Sequence, residues 1–531
     1  MENLLNIFLS LGVALVFTFL SYCYFQTIQL GNYTCQRFFK NAFKRDILTY
    51  VQYIIVTILS IGLYFAFLRY KHISFIAFFA MNTALIIFLL KHSKKTPLKL
   101  TKRMFRQTLT FFLMCFGLLY FCFNFAFFYL GFIVQCILPF IALLSLYIML
   151  PLENLNRKRI KKKSEHKLLK HKNTIVIGIT GSFGKTAVKN YLYKMLKLKH
   201  AVLATPKSYN TPMGIANCIL SGLTDLTEIF ICEMGARHKG DIRELCNMVK
   251  PTYALICTIG NQHLETFKTL ENIKSEKYEL AKFVKEHDGI SFFNGDNDIG
   301  LELFNLYEGE KYLCNNKCAY ENSLKNSKTK INYNEFAYAN IFEEGSCGVR
   351  FELCIDGLKI KCETKLLGRH NIDNIVLAAA CAYKLGVPVE KIAFAISNLE
   401  SVPHRLQLIK SRNNVTVIDD SYNSNTQGFN FALQTLVKFS GRKILVTPGI
   451  VELGNIQYDE NFKLAKNIFM VCDFVIIVGL ENSKAFKDGF EKCGFKNFIL
   501  SENLKTAQKV LQNFLTAGDT VLFENDLPDN Y

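Results

Sequence analysis

The stretch Gly178-Ile179-Thr180-Gly181-Ser182-Phe183-Gly184-Lys185-Thr186 decides the fold predicted for the middle of this 531-residue chain. It follows a β-branched run at 174–177 and precedes a helical pattern at 188–196. A strand, a glycine-rich loop and a helix in this order are typical of a phosphate-binding loop, because the loop amides and the helix N-terminus attract phosphate oxygens. Ile179 stands where the strict G-x-x-x-x-G-K-[ST] motif has its first glycine. An ordinary glycine-rich turn is the alternative, but it gives no reason for Lys185 and Thr186.

Composition and charge indicate a membrane-associated protein with reduced thiols. The formal net charge is +19 and the mean hydropathy is +0.16. Nucleic-acid binding is one interpretation of this charge, but much of it lies in clusters beside long apolar runs, where a membrane topology would put it. The 17 cysteines are scattered and form no C-x-x-C pair, which favours reduced thiols over a disulfide or metal framework.

The first 150 residues contain five apolar runs, each close to the roughly 20 residues that cross a bilayer as a helix. They lie at 4–27, 47–68, 73–90, 109–128 and 130–150. Basic clusters follow the first, third and fifth runs, and such clusters mark the cytoplasmic side. Arg69, Lys71 and His72 lie on the opposite side of this topology. The sequence therefore predicts a transmembrane domain of about five spans at 1–152 and a basic cytoplasmic linker at 153–172, near anionic headgroups.

Strand and helix patterns alternate in the remainder of the chain. Buried strand patterns at 228–233, 253–258 and 291–294 indicate a doubly wound α/β sheet, which binds ligands at the carboxyl ends of its strands. Period-two alternation at 332–367 predicts an antiparallel insertion, and a helix is expected at 372–385. A second α/β pattern begins near Val415. The predicted fold class is thus multi-domain: an N-terminal all-α transmembrane bundle, an α/β P-loop domain at 173–402 and a Rossmann-like α/β domain at 403–531.

Three further residues have side chains suited to a metal–phosphate site. Glu233 ends a predicted strand before a glycine turn, where a carboxylate can hold Mg²⁺. A helix-capping acid is the alternative for Glu233. Taken singly, His263 could equally be a polar surface residue and Lys277 a solvated helix lysine.

Taken together, the motifs of this chain resemble those of the Mur ligase superfamily over roughly residues 173–520. The matching segments are Ile179–Thr186, Glu233–Ala236, Gly260–Glu265 leading to Lys277–Glu279, Gly368–Asn374, Pro403–Arg405, Ile418–Asn423 and Gly449–Gly454. Each motif alone is weak evidence, whereas their order and spacing together are specific. The resemblance is greatest to members that add D-alanyl-D-alanine to UDP-N-acetylmuramoyl-tripeptide, and it implies a bacterial protein of the inner (cytoplasmic) membrane with its catalytic domains in the cytoplasm.

The resemblance implies a mechanism and a role for each matching residue. ATP would phosphorylate a substrate carboxylate to an acyl phosphate, which an amine then displaces; charge neutralisation and positioning dominate such chemistry. Gly181, Ser182, Phe183, Gly184 and Lys185 would hold the phosphates, while Thr186 and Glu233 would bind one Mg²⁺. His263 and a carbamylated Lys277 would bind a second Mg²⁺. The expected catalytic residues are therefore Lys185, Glu233, His263 and Lys277.

The resemblance also assigns nucleotide and substrate contacts outside the glycine loop. His370, Asn371 and Asn374 would lie at the adenine, Arg405 at a phosphate and Asp420 at the ribose. The turn of Ser208, Tyr209, Asn210 and Thr211 would lie near the muramoyl peptide, although the flanking prolines alone also explain a turn there.

The chain departs from the family pattern at four places. Phe183 stands where members often carry asparagine, and Asn425-Thr426 replaces Asn-Pro. Glu524-Asn525-Asp526 replaces a Lys-Gly-Ser segment. Apolar runs occupy the place of the soluble domain that grips UDP in the family. The expected partners are therefore membrane lipids, D-alanyl-D-alanine and a UDP-linked or lipid-linked muramoyl peptide, with no nucleic acid.

Three other functions are weighed against this one. A ligase with another carboxylate and amine, similar to poly-γ-glutamate synthase, would keep the same core. A membrane scaffold for cell-wall enzymes with a decayed nucleotide site is disfavoured because Lys185, Thr186, Glu233, His263 and Lys277 are all present. A transporter ATPase is disfavoured because no ABC-type signature follows the glycine loop.

Overall fold

The computed structural model describes residues 2–31, 33–36, 38–39, 47–66, 71–91, 97–125, 129–207, 209–260, 264–316, 336–410, 414–422, 425–451 and 453–526. These residues form two compact units, the first ending at Arg159 and the second beginning at Ile160. Two of the expected site residues, Ser208 and His263, lie outside the described residues.

The regular elements described in the first unit are all helices. Its α-helices are Glu2–Leu20, Tyr22–Leu30, Ile47–Ala66, Lys71–Lys91, Lys102–Phe125, Leu130–Ile133 and the part up to Arg159 of Leu138–Lys170, with a 3₁₀ turn at Val134–Ile137. Large aromatic side chains such as Phe17, Phe78 and Phe111 fill its interior. Some polar side chains inside it are paired, as where Gln135 Nε2 donates to Asn82 Oδ1 at 3.0 Å. An all-α first unit was predicted.

The described helices fall on the five predicted apolar runs, with different limits. Three are long and apolar enough to cross a membrane, Asn3–Leu20, Lys102–Phe125 and Leu130–Lys170, and two shorter apolar stretches, Tyr50–Ala66 and Phe75–Lys91, lie within the helices Ile47–Ala66 and Lys71–Lys91. The apolar run at 4–27 is interrupted at Ser21, whose ψ of 6° is far from the helical value of about −42°. The last apolar run continues without a break into Leu138–Lys170, and this helix includes most of the basic segment predicted as a linker at 153–172.

The second unit begins with a nine-stranded sheet. Its strands are β1 Ile175–Thr180, β2 Val202–Ala204, β3 Ile229–Glu233, β4 Tyr253–Ile256, β5 Ile290–Asn294, β6 Glu310–Asn316, β7 Ala337–Gly345, β8 Gly348–Ile355 and β9 Leu358–Thr364. Their order is β2-β3-β1-β4-β5-β6-β7-β8-β9. Pairs from β2 to β7 are parallel, and β7, β8 and β9 pair antiparallel. The parallel sheet and its antiparallel extension confirm the two predictions made for this region.

Helices cover both faces of this sheet, as a doubly wound fold requires. The core on one face includes helices Lys185–Leu196, Arg369–Lys384 and Val389–Ser397. The core on the other includes Pro212–Gly222, Asp241–Val249, Leu270–Lys285 and Asp298–Leu306. A one-turn helix, Leu264–Phe267, precedes Leu270–Lys285. Because β3, β1 and β4 are neighbours, the segments after their carboxyl ends converge at one edge of the sheet.

A six-stranded sheet forms the C-terminal part of the second unit. Its strands are β10 Gln407–Lys410, β11 Thr416–Asp420, β12 Lys443–Thr447, β13 Phe474–Val478, β14 Phe498–Ser501 and β15 Thr520–Glu524, in the order β10-β11-β15-β12-β13-β14. Only the edge strand β10 is antiparallel to its neighbour. The helices are Thr426–Leu436, Gln457–Phe469, Ser483–Cys493 and Leu504–Phe514, with a 3₁₀ turn at Gly454–Ile456. This is the Rossmann-like arrangement that was predicted.

The glycine loop between β1 and helix Lys185–Leu196 depends on a left-handed residue. Gly184 has φ of 81°, and a Cβ built on it would lie 2.2 Å from Asn374 Oδ1. Asn374 is 6% exposed and belongs to helix Arg369–Lys384. The loop can therefore approach this helix only if residue 184 has no side chain.

We expect Gly184→Ala to lower the free energy of unfolding by about 1 kcal/mol through backbone strain and by on the order of 1 kcal/mol more through displacement of Asn374. Gly240→Ala is the matched control, because Gly240 has φ of 94° with nothing within 4 Å of the added Cβ. Denaturant unfolding followed by circular dichroism measures both losses. Adding Asn374→Ala to Gly184→Ala should recover the second part; equal losses in the two single variants would contradict the predicted clash.

Candidate functional site

The glycine loop is fixed to the end of β4. The amides of Ser182 and Phe183 donate to the carbonyl oxygen of Thr258 at 2.9 and 3.1 Å. Ser182 Oγ also donates to the Gly260 carbonyl at 2.9 Å. These contacts hold the loop across the carboxyl ends of two neighbouring strands, where the start of helix Lys185–Leu196 faces the same space.

Lys185 lies at the N-terminus of that helix with its ammonium group turned towards the loop. Its Nζ donates to the carbonyl oxygens of Gly181 at 2.7 Å and Ser182 at 2.9 Å. Burial lowers the pKa of Lys185, Glu233 opposes this shift, and Arg405 adds to it. A cation held this close to loop backbone is suited to neutralising an anion bound in the loop.

Glu233, the last residue of β3, is the polar centre of the site. It is 1% exposed. Thr186 Oγ1 donates to its two carboxylate oxygens at 3.1 and 3.0 Å, and Asn210 Nδ2 donates to Oε1 at 3.2 Å. Lys189 Nζ donates to Oε2 at 3.0 Å. The structure thus brings Thr186 and Glu233 together as predicted and adds Lys189, which was not singled out.

Lys277 is the second buried lysine beside this centre. It is 3% exposed and lies on helix Leu270–Lys285. Its pKa is lowered to about 7, first by burial and then by the charge of Lys185. The adjacent Glu276 accepts hydrogen bonds from the amides of Gly240 and Ile242, both at 2.7 Å, which fixes this part of the helix against the segment after β3.

The glycine loop, Glu233 and Lys277 line one cavity of about 520 Å³, here called the Glu233 cavity. Asn210 and Thr211 of the predicted substrate turn also line it, whereas Tyr209 is not among its described lining residues. The Thr211 hydroxyl accepts from the Gly214 amide at 3.4 Å and so caps helix Pro212–Gly222. Among the described residues, no three His, Cys, Asp or Glu side chains converge as a metal cluster.

A second cavity, of about 350 Å³ and here called the Asp420 cavity, adjoins the first. Both cavities share the lining residues Phe183, Gly184, Arg405 and Tyr422. The guanidinium of Arg405 lies 5.0 Å from the centroid of the Tyr422 ring. Arg405 therefore borders both spaces, as expected of a residue that reaches a phosphate group.

The residues predicted to contact adenine are His370, Asn371 and Asn374. All three line the Asp420 cavity, each with different contacts. His370 stacks on Phe431, with ring centroids 5.6 Å apart, and burial lowers its pKa to about 4, so its ring is neutral at physiological pH. Asn371 accepts from Tyr191 Oη at 2.8 Å and donates to the Leu367 carbonyl at 2.8 Å, which leaves it one N–H. Asn374 packs against the glycine loop. These groups give the Asp420 cavity one neutral aromatic ring and a few hydrogen-bonding atoms.

Asp420 lies at the carboxyl end of β11, opposite Glu524 in the β11–β15 register. Its Oδ1 accepts from the Leu406 amide at 3.1 Å. Burial raises the pKa of Asp420 to about 6, while Arg405, the Leu406 amide and Glu524 oppose the shift. The Glu524 carboxylate, where the family pattern has lysine, is thus paired with a second carboxyl group.

Lys189 and Thr205, two contacts of Glu233, had little or no signal in the sequence. Lys189 falls three and seven residues before the buried Leu192 and Leu196, on the inner face of helix Lys185–Leu196. Its position on an apolar helix face is the only sequence feature that indicates a buried, paired side chain, and in the structure Lys189 is 1% exposed. Thr205, whose Oγ1 accepts from the Glu233 amide at 3.2 Å, carried no signal of this kind.

Comparisons with known proteins identify the family to which these domains are similar. The model for "Mur ligase middle domain" matches residues 179–382, and that for "Mur ligase, glutamate ligase domain" matches residues 404–524. The UDP-N-acetylmuramoyl-tripeptide--D-alanyl-D-alanine ligase of Buchnera aphidicola (subsp. Baizongia pistaciae) is 31% identical over 282 residues, covering 53% of this chain and 58% of that protein. The enzyme of the same name from Escherichia coli K12 is 30% identical over 279 residues, covering 52% and 58%.

Solved structures agree with the sequence matches. MurF ligase from Thermotoga maritima in complex with ADP has a TM-score of 0.59 and 26% identity, over 70% of this chain and 80% of that one. MurF from Acinetobacter baumannii has a TM-score of 0.60 at 23% identity, over 70% and 77%, which is a likeness of fold. The chain spans less than two thirds of the length of the two curated relatives above. Both domain models fall in the second unit and together match more than half of the chain, which therefore belongs to the Mur ligase family.

Proposed function

We propose that this protein is an ATP-dependent amide ligase that adds D-alanyl-D-alanine to UDP-N-acetylmuramoyl-tripeptide in peptidoglycan precursor synthesis. The observation that carries the proposal is the pair of adjoining cavities, which bring Lys185, Glu233 and Lys277 together with Arg405 and Asp420. The names of the two relatives and the ADP in the Thermotoga structure support the choice of substrates.

The donor atoms of the two cavities fit Mg²⁺ and ATP. The Thr186 hydroxyl and the Glu233 carboxylate are oxygen ligands of the kind Mg²⁺ prefers, and the ion would neutralise phosphate charge. Lys185 and the N-terminus of helix Lys185–Leu196 would hold phosphates. The neutral ring of His370 and the free N–H of Asn371 suit adenine, and Asp420 suits the ribose hydroxyl groups.

In the proposed reaction, a carboxylate oxygen of the tripeptide attacks the γ-phosphorus and the bond to the β,γ-bridging oxygen breaks, releasing ADP. The D-alanyl-D-alanine amine then attacks the acyl-phosphate carbonyl, loses a proton and expels inorganic phosphate. Lys185 and Arg405 border the space in which negative charge collects during these steps. The protein therefore acts mainly by positioning the reactants and neutralising charge.

The first unit supports a further part of the proposal, attachment to the bacterial cytoplasmic membrane. Its outer surface carries large apolar side chains such as Phe8, Ile58 and Phe121, which are 65%, 63% and 59% exposed. Exposed apolar surface of this extent suits lipid contact. We propose that these helices span the inner membrane with the catalytic domains in the cytoplasm, where a lipid-linked muramoyl peptide is the alternative acceptor.

Turnover of the detergent-solubilised full chain tests the function. ADP and phosphate release should require both D-alanyl-D-alanine and the UDP-linked tripeptide, and Lys185→Ala should reduce the rate by at least about 100-fold because it removes a charge-neutralising group. Lys194→Ala, on the same helix with a 39% exposed side chain, should retain wild-type turnover. Equal rates in Lys185→Ala and wild type would favour the scaffold function. Turnover only with the lipid-linked tripeptide would mean that this molecule, and not the UDP-linked tripeptide, is the substrate.

Lys277 is proposed to carry a carbamate. Its pKa of about 7 leaves roughly half of the amine neutral at pH 7. A neutral amine adds CO₂ to give a carbamate and a proton, which turns the residue into an oxygen ligand for a second Mg²⁺, together with His263 by resemblance. The burial of Lys277 beside Lys185 supports this proposal, since an anionic group there would also relieve repulsion between the two cations.

We expect Lys277→Ala and Lys277→Arg to lose turnover alike, by about 100-fold or more, because arginine keeps the charge but forms no carbamate. Formate or acetate should partly restore Lys277→Ala only. Lys282→Ala is the control, because Lys282 lies on the same helix and pairs with Glu279 at the surface. NMR with ¹³C-bicarbonate should show a carbamate signal in wild type and not in Lys277→Ala; full activity of Lys277→Arg would contradict the carbamate.

Asp420 should make nucleotide binding depend on pH. Below its pKa of about 6 the carboxyl group is protonated and loses an acceptor for the ribose, so affinity should rise as pH increases through 6. Calorimetry of ADP binding in the presence of Mg²⁺ should show that the affinity of wild type falls between pH 7 and pH 5. This fall should be up to about tenfold larger than the fall measured for Asp420→Asn. Comparing the two proteins cancels the titration of the phosphates. An identical pH dependence in both would remove Asp420 from the ribose site.

A further inference from the structure

Lys189 is a buried ammonium group that does not line either cavity. It lies on helix Lys185–Leu196, and both Lys189 and Glu233 have side chains that are 1% exposed. Its Nζ is 3.0 Å from Glu233 Oε2. Burying two charges is costly unless they are paired with good geometry, so this contact fixes the orientation of the carboxylate.

A second bond connects Lys189 to the turn on the substrate side of the Glu233 cavity. Its Nζ also donates to the carbonyl oxygen of Lys207. Lys207 has φ of 47°, a left-handed conformation that is strained for a residue with a side chain and persists only where neighbours impose it. Lys189 is thus in contact with the residue that begins the turn at 207–211.

The same turn returns to Glu233 through a different residue. Asn210 Nδ2 donates to Glu233 Oε1 at 3.2 Å, and the Asn210 carbonyl accepts from the Gly235 amide at 3.0 Å. Three contacts therefore join Lys207 to Lys189, Lys189 to Glu233 and Glu233 to Asn210, and this set of contacts is here called the Lys189 ring, because Lys207 and Asn210 are also close along the chain. Movement of the turn must change the surroundings of both carboxylate oxygens.

We propose that Lys189 is a positioning residue that couples the magnesium carboxylate Glu233 to Lys207 and Asn210 beside the Glu233 cavity, so that Mg²⁺–nucleotide and the muramoyl-peptide substrate bind cooperatively. The inference rests on the proposed function, since it takes Glu233 as the metal carboxylate and the turn as a substrate contact. By thermodynamic linkage, each ligand should tighten the other by the same factor.

If Lys189 had only a structural role, a different experimental result would be expected. It would stabilise the fold, and its loss would lower the unfolding midpoint without changing the factor by which one ligand tightens the other. The coupling factor, measured as a ratio of dissociation constants on the same folded protein, separates the two roles because a uniform change in affinity cancels in the ratio.

The test uses the full chain in detergent with Mg²⁺, a non-hydrolysable ATP analogue and UDP-N-acetylmuramoyl-tripeptide. Calorimetry gives the analogue Kd with and without the tripeptide. The wild-type ratio should be about fivefold or more and should fall to about 1 in Lys189→Met, while Lys189→Arg should keep part of it. Lys194→Met is the matched control, because Lys194 lies on the same helix but pairs with Glu400 at 3.4 Å on the surface.

Asn210→Ala provides a second test should Lys189→Met fail to fold, since it opens the Lys189 ring on the opposite side and should also bring the ratio to about 1. A wild-type ratio near 1, or a folded Lys189→Met or Asn210→Ala protein with the wild-type ratio, would overturn the inference. These results leave the proposed function intact. Failure of the wild-type protein to bind the analogue or the tripeptide at all would instead overturn the proposed function.

Discussion

The buried carboxylate of Glu233 is the constraint on which the rest of the catalytic unit depends. An anion that is 1% exposed is stable only when donors surround it, and here Thr186, Asn210 and Lys189 supply them. The three donors come from two segments that the parallel sheet places beside the end of β3. The requirement to satisfy one carboxylate therefore places Asn210 beside the glycine-loop helix.

The C-terminal domain completes the site from the other side. Arg405 borders both cavities, and Asp420 stands at the end of β11 next to Glu524. The carboxyl ends of two parallel sheets thus contribute to one continuous lining, which is where α/β folds bind ligands. Lys185 and Arg405 line the same cavity as the Glu233 carboxylate, and Lys189 contacts that carboxylate directly. Such an excess of positive charge suits a polyphosphate and a substrate carboxylate.

Much of the fold and of the candidate site could be predicted, because the residues concerned lie in short contiguous motifs. The glycine loop, Glu233 at a strand end and Asp420 at another lie in short motifs, and a parallel sheet brings strand ends together by topology alone. The role of Lys189 could not be predicted, because its partners Glu233 and Lys207 are distant in sequence and its helix position is ordinary. The break at Ser21 and the Thr211 cap were likewise invisible to hydropathy and motif, since backbone angles and a single hydroxyl contact decide them.

In the proposed reaction, this site phosphorylates a carboxylate before an amine displaces the phosphate. Transfer of oxygen-18 from the tripeptide carboxylate during one ligation tests this step most directly. We expect each inorganic phosphate released with the full chain, ATP, Mg²⁺ and D-alanyl-D-alanine to carry one labelled oxygen from that carboxylate. Ligation that releases only unlabelled phosphate would contradict the proposed reaction.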